Sequence, residues 1–332
     1  MQILKQVTGI DVSKDTIQVC FGSFSNDLKQ NISSSVKFSN DLSGHKKLLS
    51  WVLKQYSSET PLWFVMEATG VYYENLAYFL TKKGYSACVV LPNKIKNYIR
   101  TQDKKSKTDM LDAIALTQFG LEKTLNKWQM PSETMRKLKT LCRDHICIKG
   151  LINSASNRIH AKEHAYDSLK ESLKWQRQQI SLYKKQEKQI IEKIKELLKD
   201  DPDLNEKVSK VMTIKGVGLL TVVTLIAETD GFALITNARQ LTSYAGIDVV
   251  HNQSGYRTGK TSISKKGNKF IRNAMFMPAL CAIRCNDKLK AFYNRLVEKK
   301  NFKMIAVTAV MRKILILIYA LWKNDQEYIY TS

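Results

Sequence analysis

Between Ser132 and Lys199 the chain contains no proline and a single glycine, Gly150. So long a stretch without a breaker, dense in charge and helix formers, is confined to helix because nothing in it forces a turn. Leu169, Leu173, Ile180, Tyr183, Ile190, Ile194 and Leu197 follow the 4-3-4-3 spacing of a heptad seam, with Gln176 and Glu187 as exceptions. Leu138, Leu141, Ile148, Ile152, Ala155 and Ile159 carry the same spacing, with His145 as the polar interruption. Ser168-Leu169-Lys170-Glu171 has the form of a capping box between the two arms. The spacing predicts a coiled-coil-like pair of long helices, packed on each other or on a second protomer.

The flanking segments have a different grain. Residues 3–12 and 16–21 are apolar or β-branched runs, and residues 33–38 alternate at period two. Helical spacing at 43–56, a buried-looking run at 62–66 after Pro61, a helix around 72–83 and a strand at 87–91 closed by Pro92 follow. That order predicts a ribonuclease-H-like α/β domain. Asp201-Pro202-Asp203 stops the long helices, and a mostly helical C-terminal part begins near Leu204. The expected division is 1–125, 126–203 and 204–332.

Charge narrows the function. Lysine plus arginine outnumber the acids 53 to 30, a formal net charge of +23. Such an excess favours polyanions through counterion release, so DNA, RNA or an anionic membrane are the partners to weigh. The most apolar stretch, residues 314–322, is about half the ~20 residues a span needs. No secretory signal is visible at the amino terminus. The six cysteines lack disulfide-framework or zinc-finger spacing, which places the chain in the cytoplasm with reduced thiols.

Two constellations could carry chemistry. Asp11 closes the first apolar run, Glu67 closes the run at 62–66, and Asp109 and Asp112 stand three apart on one helix face. Ordered carboxylates of this kind suit Mg²⁺, which takes hard oxygen ligands and assists phosphoryl transfer. Lys104, Lys105 and Lys107 just upstream could touch phosphate or balance those acids. The second constellation runs through Gln253-Ser254-Gly255-Tyr256-Arg257-Thr258-Gly259-Lys260 and Ser264-Lys265-Lys266-Gly267-Asn268-Lys269-Phe270-Ile271-Arg272. Ser254 is fit either to hydrogen-bond a phosphate or to serve as a nucleophile. From His251 to Lys313 fifteen lysines and arginines face two acids, which marks Arg257, Lys260, Lys265, Lys266, Lys269 and Arg272 as a nucleic-acid surface. Gly216 and Gly218 give either half of a helix-hairpin-helix, whose amides would meet a DNA backbone, or a tight packing turn. His160 and His164 have metal-binding spacing without a third ligand in sight. No ATP-binding loop occurs.

Taken together, Gly9-Ile10-Asp11-Val12-Ser13, Met66-Glu67-Ala68-Thr69-Gly70, Lys107-Thr108-Asp109-Met110-Leu111-Asp112-Ala113, Ile214-Lys215-Gly216-Val217-Gly218, Ala245-Gly246, Gln253-Ser254-Gly255 and residues 263–269 resemble the DEDD-type transposases of the insertion sequence 110 family. The likeness covers most of the chain. It implies a RuvC-like N-terminal domain whose metal tetrad is Asp11, Glu67, Asp109 and Asp112, and a C-terminal serine, Ser254, that links covalently to DNA. It further implies donor and target DNA as substrates, a structured guide RNA and a homo-oligomer in which subunits share active sites. The family's Gly-Leu-x-Pro is here Gly246-Ile247-Asp248-Val249, without the proline. Two other readings stay open: a resolvase-like nuclease that uses water, and a nucleic-acid-binding protein without catalysis.

Overall fold

The first two apolar runs form a hairpin, β1 (Ile3–Val12) against β2 (Thr16–Ser25), in register from Lys5↔Phe24 to Val12↔Ile17. The computed structural model describes residues 2–102, 108–250, 253–259 and 261–330, with backbone alone at Arg257, Thr258 and Lys300. The chain divides into two compact units, Met1–Met130 and Pro131–Ser332, so the long helices and the C-terminal helices share one unit.

In the first unit β3 (Gln30–Ile32) and β4 (Val36–Ser39) both pair with β2. Helix α1 (Leu42–Leu53) leads to β5 (Leu62–Glu67), which lies parallel to β1 with Ile10 opposite Met66. Helix α2 (Glu74–Lys82) leads to β6 (Ser86–Val90), parallel to β5. The sheet order is β3-β2-β1-β5-β6. Helices α3 (Pro92–Arg100) and α4 (Asp109–Glu122) complete the unit.

Both faces of the sheet are covered, which is why its central strands read as continuous apolar runs. Ile10, Phe64 and Met66 pack with Leu48 and Val52 of α1 and Leu76 and Leu80 of α2. Val7 and Val65, an odd number of residues away and so on the opposite face, pack instead with Leu116 and Leu121 of α4. Helix α4 approaches this face almost to backbone contact. A Cβ on Gly9 would lie 2.3 Å from the Thr117 amide nitrogen, and one on Gly120 would lie 2.5 Å from Val7 Cγ1. Thr117 locks the approach: its hydroxyl accepts from the Gly9 amide at 3.1 Å and lies 2.9 Å from the carbonyls of Cys20 and Ala113.

The second unit starts with α5 (Glu133–Glu163) and α6 (Lys170–Lys199). Arg177 pairs with Glu163, and His145 and Lys149 with Glu187, so the helices run antiparallel within one chain. The expected capping box does not form, because α6 begins with Leu169 at its N-cap and no side-chain cap bond. Nor is the seam evenly buried. Leu169 is 64% exposed, whereas Ile194 and Leu198 of α6 and Leu138 and Cys142 of α5 are buried. These four sit where the hairpin meets α7 (Pro202–Met212), α8 (Leu219–Thr229) and α12 (Lys303–Asn324), in one core.

Helices α9 (Ala238–Ala245), α10 (Lys269–Cys285) and α11 (Asp287–Lys300) complete that unit. Between α9 and α10 lie two small ladders, β7 (Val249–Val250) with β10 (Ser262–Ile263) and β8 (Gln253–Ser254) with β9 (Arg257–Thr258). By length and composition α12 could cross a membrane. Here it is a core helix, with Ala306, Val310, Ile314, Leu315 and Ile318 fully buried.

Because a methyl at Gly9 would meet backbone, Gly9→Ala is expected to destabilise the first unit by about 1–3 kcal/mol or more. Equilibrium urea unfolding of the variant beside wild type measures it, and an unchanged midpoint would show that α4 can retreat freely.

Candidate active site

The first candidate site lies where β1 and β5 end. Asp11 follows Val7 and Gly9, and Glu67 follows Val65, on the sheet face that α4 covers. The pairing of Ile10 with Met66 sets Asp11 and Glu67 on adjacent strand ends, and the Ala68 amide still bonds Val90 O at 2.9 Å, which fixes the end of β5. Helix α4 runs against β1: Gly120 lies over Val7, and Thr117 and Ala113 lie over Gly9. Its first turn, with Asp109 and Asp112, is thereby carried toward Asp11. Thr108 caps that turn, accepting from the Leu111 amide at 3.3 Å.

Asp109 is exposed, and Asp11, Glu67 and Asp112 are half-buried. Among the described residues no three side chains stand close enough to hold a metal ion. The donor set still fits a hard divalent cation, being oxygen throughout, and a cation would offset the repulsion among the acids. Asp109 and Asp112 also have a purely structural reason to be there, since acids in a first turn complement the helix dipole by about 0.3–1 kcal/mol each. Glu67 accepts a hydrogen bond of 3.4 Å from the Thr69 hydroxyl. Lys104, Lys105 and Lys107 lie outside the described residues.

The second candidate site is the loop between α9 and α10. Ser254 stands on β8, exposed, opposite Arg257 across a two-residue turn. Gly255 takes φ +53 there, the positive φ that such hairpin turns demand, and Tyr256 is fully exposed at the tip. The feet of the loop are laced together. Lys265 donates its amide to Gly246 O at 3.1 Å, Asn268 its amide to Tyr244 O at 2.7 Å, and the Ser264 hydroxyl bonds the Asp248 carboxylate. Gly267 has no room for a side chain, since a Cβ would lie 2.5 Å from both Gly246 N and Tyr244 O.

Of the expected cationic surface, Lys265, Lys266 and Lys269 are exposed. Arg272 is half-buried and spends an N–H on Ala245 O at 2.8 Å, so it also supports the loop. The Arg257 side chain and Lys260 lie outside the described residues. Gly216 and Gly218 join α7 to α8. Gly216 has φ +92, and a Cβ there would lie 2.8 Å from Cys281 Cβ, so close packing on α10 alone requires it. The Lys215 amide donates to the Tyr330 hydroxyl at 2.6 Å and the Lys215 ammonium lies 4.7 Å from that ring's centre. Partial burial pushes the Tyr330 hydroxyl above its ordinary pKa. His160 and His164 stack at 4.3 Å with no third ligand among the described residues.

Sequence reading missed two residues, Glu228 and Arg143. Glu228, 1% exposed on α8, accepts from Arg143 Nε at 2.7 Å, Arg143 Nη2 at 3.0 Å and Asn268 Nδ2 at 2.7 Å. Arg143 also lies over the Phe270 ring at 4.5 Å. Losing one partner of a buried pair costs about 3–5 kcal/mol, less here because the Arg143 side chain is 43% exposed. The one signal available was Asn268 within a motif, at the start of a helix.

Paired strand-end acids together with a basic, serine-bearing loop suit an enzyme of DNA strand exchange, and comparison with known proteins agrees. A family model for DEDD transposases of the IS110 type matches residues 8–162, and one described as Transposase IS116/IS110/IS902 family matches residues 208–294. The chain belongs to the IS110 family of transposases. It is 29% identical, over 98% of both chains, to the pilin gene-inverting proteins of Moraxella bovis and Moraxella lacunata. It is 28% identical over 137 residues to the transposase for insertion sequence element IS1111A of Coxiella burnetii, covering 40% of this chain and 37% of that one. A solved structure of T. thermophilus RuvC in complex with Holliday junction substrate aligns with 34% of this chain and 90% of its own at 12% identity. Its TM-score of 0.27 is too low to argue from.

Gly267→Ala is expected to destabilise the second unit by about 1–3 kcal/mol. Gly255→Ala, with nothing within 4 Å of a Cβ, should cost only the left-handed backbone penalty of about 1–2 kcal/mol. Thermal unfolding of the two variants ranks them, and a reversed order would refute the lacing at the loop's feet.

Proposed function

We propose that this DNA transposase cleaves and rejoins strands with Ser254 as nucleophile and with Asp11, Glu67, Asp109 and Asp112 holding Mg²⁺. The observation that supports this reading is the pairing that sets Asp11 and Glu67 on adjacent strand ends, with α4, which opens on Asp109 and Asp112, packed along β1. Bound there, divalent metal would supply Lewis-acid stabilisation of charge on the reacting phosphate. The order of the central strands supports a ribonuclease-H or RuvC-like reading of the first unit.

In the proposed step the Ser254 oxygen attacks a backbone phosphorus, forming a phosphoserine ester and releasing a strand end as a hydroxyl. The serine proton leaves to a base, and the released strand end takes up a proton. Attack by the hydroxyl of the incoming strand reverses these changes, re-forms a phosphodiester and frees the serine, so no bond energy is lost. Lys265, Lys266 and Lys269, with Arg257, Lys260, Lys104, Lys105 and Lys107, would neutralise phosphates. Arg272 and the amides of the Gly216–Gly218 turn would contribute further backbone contacts. The family resemblance extends the proposal to a guide RNA, to a homo-oligomer joined partly through α5 and α6, and to work in the cytoplasm. Three functional parts follow: 1–125 for metal, 126–203 for assembly and 204–332 for serine chemistry.

The test is trapping. Purified protein incubated with labelled donor and target DNA, flanking RNA and Mg²⁺, then denatured, should yield DNA covalently attached to protein. Ser254→Ala and Asp11→Ala should each lose the adduct while still binding DNA. Cut DNA with free ends and no adduct would replace the serine step by attack of water.

A second measurement addresses the cations. Removing Lys265, Lys266 or Lys269 should each lower the slope of log affinity against log salt by about 1, equally for unrelated DNA sequences. An unchanged slope would take that residue off the phosphate backbone.

A further inference from the structure

Glu228 is a buried carboxylate in a strongly cationic half of the chain, and no step of the proposed reaction uses it. A charge so far from water persists only if donors saturate it. Three N–H groups within 3.0 Å do so, with Lys139 Nζ at 3.9 Å. The donors come from two separate places. Arg143 and Lys139 belong to α5, whereas Asn268 is the N-cap of α10 and one foot of the Ser254 loop.

Asn268 works in three directions. Its side-chain oxygen accepts from the Phe270 and Ile271 amides at 2.9 and 3.3 Å, its own amide holds Tyr244 O, and its Nδ2 reaches Glu228. Tyr244, at the other foot, donates its hydroxyl back to Glu228 O at 3.0 Å. Both feet of the loop are thus bonded to one residue of α8, and that residue is clamped bidentately to α5. Stability alone does not require such a circuit, since well-packed apolar residues often replace a buried ion pair without loss. What a saturated, directional network adds is a single fixed geometry.

We propose that Glu228 is a positioning residue for strand exchange: through Asn268 and Tyr244 it fixes both feet of the Ser254 loop, and through Arg143 it locks them to α5. The proposal rests on the reading of that loop as the reacting element. A loop released from this anchor would still meet DNA through its lysines, but its hydroxyl would not be held in line with a phosphorus. Misplacement of a reacting group by about 1 Å can cost about a hundredfold in rate.

The full-length protein carrying Asn268→Ser tests it. Serine caps a helix about as well as asparagine but is too short to reach Glu228, so the cap and the Arg143 pair survive and the link alone is lost. Recombination of DNA bearing the element's ends, DNA affinity, melting temperature and amide exchange across residues 244–268 are measured beside wild type. Expected are DNA affinity within about twofold, melting within a few degrees, faster exchange in the loop, and recombination reduced at least about tenfold. Asn268→Asp adds a readout that a merely structural role would not move. It keeps the cap but sets a carboxylate against Glu228, so its recombination relative to wild type should rise as pH falls and one carboxyl gains a proton to donate.

Wild-type recombination in Asn268→Ser would overturn the proposal. So would a loss that merely tracks melting or DNA affinity. If wild type recombines without a covalent adduct, the serine reading fails, yet the ratio of variant to wild-type recombination still decides whether the anchor operates.

Discussion

The near contact of α4 with β1 makes the acidic end of the sheet possible. Glycine at positions 9 and 120 and the small Ala113 and Thr117 leave no bulky side chain between helix and strand there, so the two backbones come close. The Thr117 hydroxyl then bonds the Gly9 amide, so the approach is fixed by direction as well as by contact. A bulkier side chain at either glycine would lift the helix and carry Asp109 and Asp112 away from Asp11 and Glu67. Each of those two helical acids is individually comfortable beside the positive end of α4. Such local comfort explains Asp109 and Asp112 one at a time, and the proposed metal role would ask more of them than the helix does.

The second unit inverts that arrangement. There a single acid, Glu228, is surrounded by donors, and the loop it anchors is cationic at its feet. Coulomb attraction acts over short distances in a screened surface but strongly where water is excluded, so the buried member of the set organises the rest. Arg143 adds a stacking contact with Phe270, which ties the guanidinium to the first turn of α10 as well as to the carboxylate. The long helix, the core helix and the loop therefore meet through side chains that tolerate little rotation.

Much of this was legible in the sequence, and the rest was hidden for definite reasons. Period-two runs and a breaker-free stretch betray strands and long helices because they depend on local pattern. The seam of α6 was only partly legible: spacing selected Leu197, whereas the core buries Leu198, because α7, α8 and α12 rather than a facing helix alone decide which side is covered. The capping box failed for a similar reason, since the turn before α6 places Leu169 at the cap. Glu228 was invisible because its partners lie 85 and 40 residues away, beyond the reach of any local rule. Gly216 was legible as a special position but not as to why, and its contact with Cys281 supplies a packing reason that stands whether or not DNA touches the turn.

Ser254 shows how far such a loop depends on its surroundings. Its hairpin, Gln253 to Thr258, holds no acid or histidine, so no side chain within it can accept the serine proton at neutral pH. In the proposed step the neighbouring cations would favour a charged oxygen and steady the phosphate, but they would not remove the proton. A base for that step would have to come from outside the hairpin. Rigid feet matter more under these conditions than under those of a self-contained triad. In the proposed step the loop would have to present one oxygen, already oriented, to a phosphate and to a base outside the hairpin. On the proposed reading, an enzyme that breaks DNA strands would gain from that dependence, because a serine whose hairpin holds no base would not react until one is brought to it.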